Sequence, residues 1–235
     1  MKTIKMKGEV IPDSAADVYD YFEADYFSPN LISNQLDEAD GDDVTLEINS
    51  PGGYIDAGSE IYTMLKEYSG KVTAKITGQA CSAASWIALA ADHVMMSPTA
   101  EMMIHRSQGG AYGDVDDISS TMNAMDEMDK SFVDLYAKRT GKSPEDVYSM
   151  MEKTTWMNAK TALDNGFIDE IMFENREPAL VNADGSMAIN PAMISKIKNL
   201  LHKKKSTNDV DKLNQKNEEK SKGQVKKDLS LLLWE

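Results

Sequence analysis

Two stretches of this chain repeat one pattern. Val44, Leu46 and Ile48 stand at alternate positions, as do Val72, Ala74 and Ile76, and a two-residue period is that of a strand. Each run leaves through small or turn-forming residues, Ser50-Pro51-Gly52-Gly53 in the first case and Gly78-Gln79-Ala80 in the second. After the first, Ile55, Ile61, Tyr62 and Leu65 mark a helix that Gly70 is placed to end. After the second, the small residues from Ser82 to Ala91 predict a buried helix. Strand and helix alternating at this spacing imply an α/β fold built on a largely parallel sheet.

The flanking sequence extends the pattern. Ile4, Met6 and Val10 predict a first strand, Ser14 a capped helix through Val18, Tyr19 and Phe22, and Ser28-Pro29 a second helix start with Leu31, Ile32 and Leu36 on its apolar side. Short strands are expected at Val94 to Met96 and Met102 to Ile104. A segment with Gly109, Gly110 and Gly113 follows, then a long helix marked by Val115, Ile118, Met122, Met125, Met128, Phe132 and Leu135 and stopped at Gly141. Its methionine stripe reads as core or as a subunit interface. Ser143-Pro144-Glu145-Asp146 opens another helix, Asn158 and Gly166 bracket a third, and Phe167 to Met172 reads as a last strand.

Charge divides the chain. Residues 1–195 carry 14 Lys and Arg against 33 Asp and Glu, whereas residues 196–229 carry 11 against 5, so the formal net charge of -14 averages two unlike parts. The expected organisation is a domain over 1–175, a partly helical extension over 176–202, and a lysine-rich disordered tail over 203–235 that ends in Leu231, Leu232, Leu233 and Trp234. The acidic domain argues against nucleic-acid binding. No run of about 18 apolar residues and no signal-peptide core near Met1 to Val10 are present, so a cytoplasmic protein without a membrane segment is expected. Cys81 is the single cysteine; with three histidines it leaves little for a disulfide or a structural metal, and no cofactor is expected. The chain has no GxxxxGK[ST] phosphate loop.

Three segments pair a backbone device with reactive chemistry. Ser50-Pro51-Gly52-Gly53 can bring bare backbone N–H groups close to a bound group. Ser82 follows Gly78-Gln79-Ala80-Cys81 at the start of a helix, where the amide of Ala83 can help hold an oxyanion, although an ordinary N-cap would look the same. His105 ends the strand Met103-Ile104 and can serve a nearby serine as proton acceptor and donor. His93 and His202 are weaker candidates.

In order and approximate spacing, Ile48-Asn49-Ser50-Pro51-Gly52-Gly53, Gly78-Gln79-Ala80-Cys81-Ser82, Met103-Ile104-His105 and Asn165-Gly166-Phe167-Ile168-Asp169 resemble the Clp protease proteolytic subunit family over about residues 4–175. The resemblance implies the fold shared by Clp proteases and crotonases, with repeated β-β-α units, and a serine endopeptidase with Ser82 as nucleophile and His105 as general base and then acid. The amides of Gly53 and Ala83 would form the oxyanion hole. It also implies a homo-oligomeric ring, which in cellular members works with a Clp ATPase, and a substrate-pairing role for the segment around Gly109, Gly110 and Gly113. The runs Ser82-Ala83-Ala84-Ser85-Trp86 and Thr155-Trp156-Met157 look more like the phage and prophage branch of head maturation proteases, implying capsid or scaffold substrates in the host cytoplasm or inside a prohead.

One position departs from the family pattern. The aspartate that orients the histidine would fall at Thr154, with Glu152 two residues away, and the third catalytic member stays open between them. Two other readings of the chain are a crotonase-type acyl-CoA enzyme, which would use a glutamate for proton transfer, and a catalytically weak Clp-like assembly component.

Overall fold

Alternate side chains of the strand Val44–Gly53 are sealed from solvent, with Leu46 and Ile48 at 0–1% exposure, and the strand holds the centre of an eight-stranded sheet. In the computed structural model, which describes residues 2–174, the chain runs β1 (Lys2–Val10), α1 (Ala16–Tyr21), β2 (Tyr26–Phe27), α2 (Pro29–Asp37), β3 (Val44–Gly53) and α3 (Ile55–Glu67). It continues through β4 (Val72–Cys81), α4 (Ala83–Ala88), β5 (His93–Met96), β6 (Glu101–Ile104), α5 (Val115–Thr140), α6 (Pro144–Glu152), β7 (Thr155–Asn158), α7 (Ala159–Asp164) and β8 (Glu170–Ile171). The expected extension over 176–202 and tail over 203–235 lie outside the described residues.

Strands pair in the order β2-β1-β3-β4-β5-β8, all parallel, as the strand–helix alternation implied. At its far end β4 leaves β5 and pairs with β6, so that Gln79, Ala80 and Cys81 lie beside Glu101, Met102 and Met103. β6 in turn takes β7 as an antiparallel neighbour. This fork carries the ends of β4 and β6 away from the main sheet side by side. The core is the layer of Ile4, Met6, Leu46, Ile48, Ala74, Ile76 and Val94 with the buried faces of α2, α3 and α4 on it.

Several local expectations change. Ser14 is no cap: Pro12, extended at φ -69° and ψ 148°, starts a 3-10 turn over Asp13–Ala15, placing Ser14 inside a turn that leads into α1. Val18 and Phe22 then face outward at 55% and 71% exposure. The buried helix after Ser82 is shorter than its run of small residues, and Phe167 to Met172 narrows to the two-residue β8, with Phe167 and Ile168 buried before it. The long helix α5 is present with a full capping box at Asp114 and Asp117, and Gly141 ends it in the left-handed conformation. Its stripe divides: Phe132 is buried, whereas Val115, Ile118, Met122 and Met128 are exposed.

Candidate active site

β4 delivers Ser82 to the surface through a backbone that few side chains tolerate. Ser82 sits at φ 52° and ψ -124°, a strained conformation for a residue with a Cβ, in the N-cap position of α4. Its hydroxyl makes no capping bond, so the ordinary N-cap reading fails. Instead Oγ lies 2.8 Å from Nε2 of His105. The Ser82 amide donates to the Met103 carbonyl at 2.9 Å, and Ser85 caps the turn from the other side, its amide (2.9 Å) and Oγ (2.6 Å) both donating to the Ser82 carbonyl.

The Ser50-Pro51-Gly52-Gly53 turn explains itself here. A Cβ on Gly52 would stand 2.6 Å from the Cys81 carbonyl oxygen, 2.7 Å from the Ser82 Cβ and 2.9 Å from the Ala83 nitrogen, and its φ is 96°. Only glycine lets the end of β3 lie against the serine turn. Ser50 Oγ accepts from the Gly52 amide at 3.1 Å, and Asn49 Oδ1 accepts from the Gln79 amide at 3.2 Å, tying the two strand ends together. Gly53, Ser82, Ala83 and His105 therefore border one cleft of about 610 Å³.

His105 follows β6 directly and is half-buried. Its other ring nitrogen, Nδ1, is buried with no hydrogen-bond partner among the described residues. The β6–β7 ladder pairs Ile104 with Thr155, so its next step sets Thr154 opposite His105. Thr154, however, turns out of the ladder at φ 51° and is exposed, and Glu152 is exposed at the end of α6. Neither supplies the third member left open by the sequence.

The cleft's inner wall is aromatic. Trp86 stacks on Phe132 with ring centroids 5.3 Å apart and 19° between planes, and Tyr136 lines the cleft beside them. Cys81, next to the serine, is buried, and that burial, with Glu101 nearby adding to it, pushes its thiol up to about 11. It is a neutral packing group at neutral pH and no rival nucleophile. Among the described residues no group of three or more His, Cys, Asp or Glu side chains is arranged to hold a metal ion, and no helix is long and apolar enough to cross a membrane.

Two features were missed from sequence. One is β7, whose four residues Thr155–Asn158 are too short a run to show a strand period. The other is Asp129, only 1% exposed, which receives Arg106 Nε at 2.7 Å and the Ser107 amide at 2.6 Å immediately after His105. A lone acid in the middle of a helix rich in acids carries no sequence signal of burial.

With this geometry in hand, comparison with known proteins is informative. The family model for Clp protease matches residues 23–175. The ATP-dependent Clp protease proteolytic subunit of Bacteroides fragilis is 33% identical over 158 residues, 65% of this chain and 76% of that protein. The protein of the same name from Bacteroides thetaiotaomicron is 31% identical over 158 residues, 65% of this chain and 72% of its own length.

Proposed function

Because the chain belongs to the Clp protease family and is a serine-type endopeptidase of that kind, we propose that Ser82 and His105 carry its chemistry, with the amides of Gly53 and Ala83 as the oxyanion hole. The observation that carries this reading is the 2.8 Å approach of His105 Nε2 to the hydroxyl of a strained serine at the mouth of the cleft. Nε2 takes the hydroxyl proton as Oγ attacks the peptide carbonyl, and the negative oxygen of the tetrahedral intermediate turns toward the two amides. On collapse the same nitrogen gives its proton to the leaving amine. Water then attacks the acyl-enzyme by the same proton route and frees Ser82.

The finer reading places the enzyme among phage and prophage head maturation proteases, acting on capsid or scaffold polypeptides. It rests on the Ser82-Ala83-Ala84-Ser85-Trp86 and Thr155-Trp156-Met157 runs. Self-association into a homo-oligomer is supported by the apolar outer stripe of α5, with Val115, Ile118 and Met122 all exposed. Whether a Clp ATPase takes part is a question for the same experiment. The native protein and Ser82→Ala are co-expressed with capsid and scaffold proteins, with and without a Clp ATPase, and the products are read by intact mass. Cleavage by the native protein alone supports the reading; equal cleavage by Ser82→Ala overturns the catalytic assignment, and intact capsid and scaffold beside a cleaved model peptide overturn the substrate class.

A further inference from the structure

We propose that Asp129 is the positioning residue for His105, a task that a carboxylate on the imidazole itself performs in an ordinary triad; the proposal rests on the Ser82–His105 reading above. The ring has one bonded nitrogen, Nε2 toward Ser82, and one buried nitrogen, Nδ1, to which no described residue is hydrogen-bonded, so no described side chain fixes its direction there. Its direction must come from the backbone that bears it. On the upstream side that backbone is held by β6, whose Met103 and Ile104 pair with Trp156 and Thr155. Downstream the sheet ends at once, and a free segment leading to Gly109 and Gly110 would let His105 swing.

Asp129 closes that freedom. Its Oδ1 accepts the Ser107 amide at 2.6 Å and its Oδ2 the Arg106 Nε at 2.7 Å, so both residues after His105 are tied to one carboxylate on α5. Ser107 Oγ adds a bond to the Met125 carbonyl one helical turn earlier, at 3.2 Å. Arg106 is itself braced, its guanidinium 5.2 Å above the Tyr148 ring and its Nη2 3.6 Å from Asp126. The carboxylate is 1% exposed, so its bonds do not compete with bulk water, and charge-assisted bonds of this length are the strong class. α5 is anchored at the same level by Phe132 and Tyr136 in the cleft wall. The histidine is thus held by a clamp two residues along the chain.

The test is Asp129→Asn. The amide keeps an oxygen for the Ser107 N–H but then sets an N–H group toward Arg106 Nε, donor against donor, which breaks one arm of the clamp at nearly constant volume. Arg106→Met, at a half-exposed position, removes the same arm from the other side and serves if the Asn variant folds poorly. Peptide hydrolysis is measured per site titrated with a fluorophosphonate, well below each variant's melting temperature, beside Ser82→Ala and His105→Ala. The expected result is a fall in kcat of about 10- to 100-fold with KM within about twofold, since a catalytic group displaced by an ångström costs rate and not substrate affinity. Native kcat per titrated site in both clamp variants, whatever the melting temperature, overturns the proposal, as does a loss confined to KM. Native turnover in His105→Ala would sink the dyad itself, a result separate from the fate of Asp129.

Discussion

The hydroxyl of Tyr136 lies 2.7 Å from the Oγ of Ser85, and the direction of that bond is settled by its neighbour. Ser85 Oγ spends its one proton on the Ser82 carbonyl, so Tyr136 is the donor. Burial raises the phenol far above its ordinary value, so it keeps that proton at every working pH. A relay from α5 through α4 thus steadies the strained turn that presents the nucleophile.

Tyr136→Phe removes the donor and little volume. The expected cost is about 1–2 kcal/mol, the price of one buried bond. A chain of this length should show a fall in Tm of about 3–6 °C. Because the lost bond supports the Ser82 carbonyl, kcat should fall about fivefold as well. Differential scanning calorimetry and peptide hydrolysis check the two effects; an unchanged Tm would show that the relay carries no stability.

Thr154→Asp addresses the unpartnered Nδ1 of His105. Position 154 directly follows the last ladder pair, Ile104–Thr155, and a carboxylate there that turned back to the ring would pair with Nδ1 and stabilise the imidazolium formed during attack. A full triad aspartate is worth about 10,000-fold in turnover, and an introduced one in imperfect geometry should raise kcat about tenfold. Steady-state hydrolysis measures it, and an unchanged or lower kcat would show that the turn at residue 154 keeps the new group away from the ring.

What was legible in the sequence follows from range. β3, β4 and their helices declared themselves through periodicity, because Leu46, Ile48, Ala74 and Ile76 face one core whatever their partners are. Ser82 and His105 stand out by residue type and motif, and their approach becomes a distance only through the β4–β6 pairing. Asp129 and Tyr136 were invisible for a physical reason. Their partners lie 22 and 51 residues away, and nothing local to α5 distinguishes a buried aspartate from the solvated ones around it. Ser14 misled because the local signal for a cap was genuine and Pro12 began the turn too early for it.

Cys81 offers a check on the nucleophile. With its thiol pushed up to about 11 by burial, under one part in a thousand is thiolate at pH 7.5. Iodoacetamide should therefore modify the folded protein slowly, with the rate rising as pH climbs toward 11, and Cys81→Ala should retain peptide hydrolysis within about twofold. Rapid alkylation at pH 7.5 that tracks loss of activity would place the reactive group at the wrong residue.

The last prediction concerns acid stability and the Asn165-Gly166-Phe167-Ile168-Asp169 motif, whose acid proves structural. Asp169 Oδ2 accepts the Val94 amide at 2.8 Å and forms an ion pair with Arg139 Nη2 at 2.8 Å, joining the entry of β8 to β5 and to the end of α5. Partial burial alone would raise its pKa, but the pairing with Arg139 and the bond from Val94, with His93 nearby, outweigh it and leave the carboxyl below its ordinary 3.8. A folded-state value below the unfolded one stabilises the protein above the unfolded pKa and ceases to do so as pH falls through the folded value. Arg139→Met removes the strongest of these partners. Its Tm should lie below that of the native protein at pH 7, and the gap should narrow steadily as pH drops below about 4. A gap that stays constant from pH 7 to pH 3 would assign the effect of Arg139 to packing and not to its pairing with Asp169.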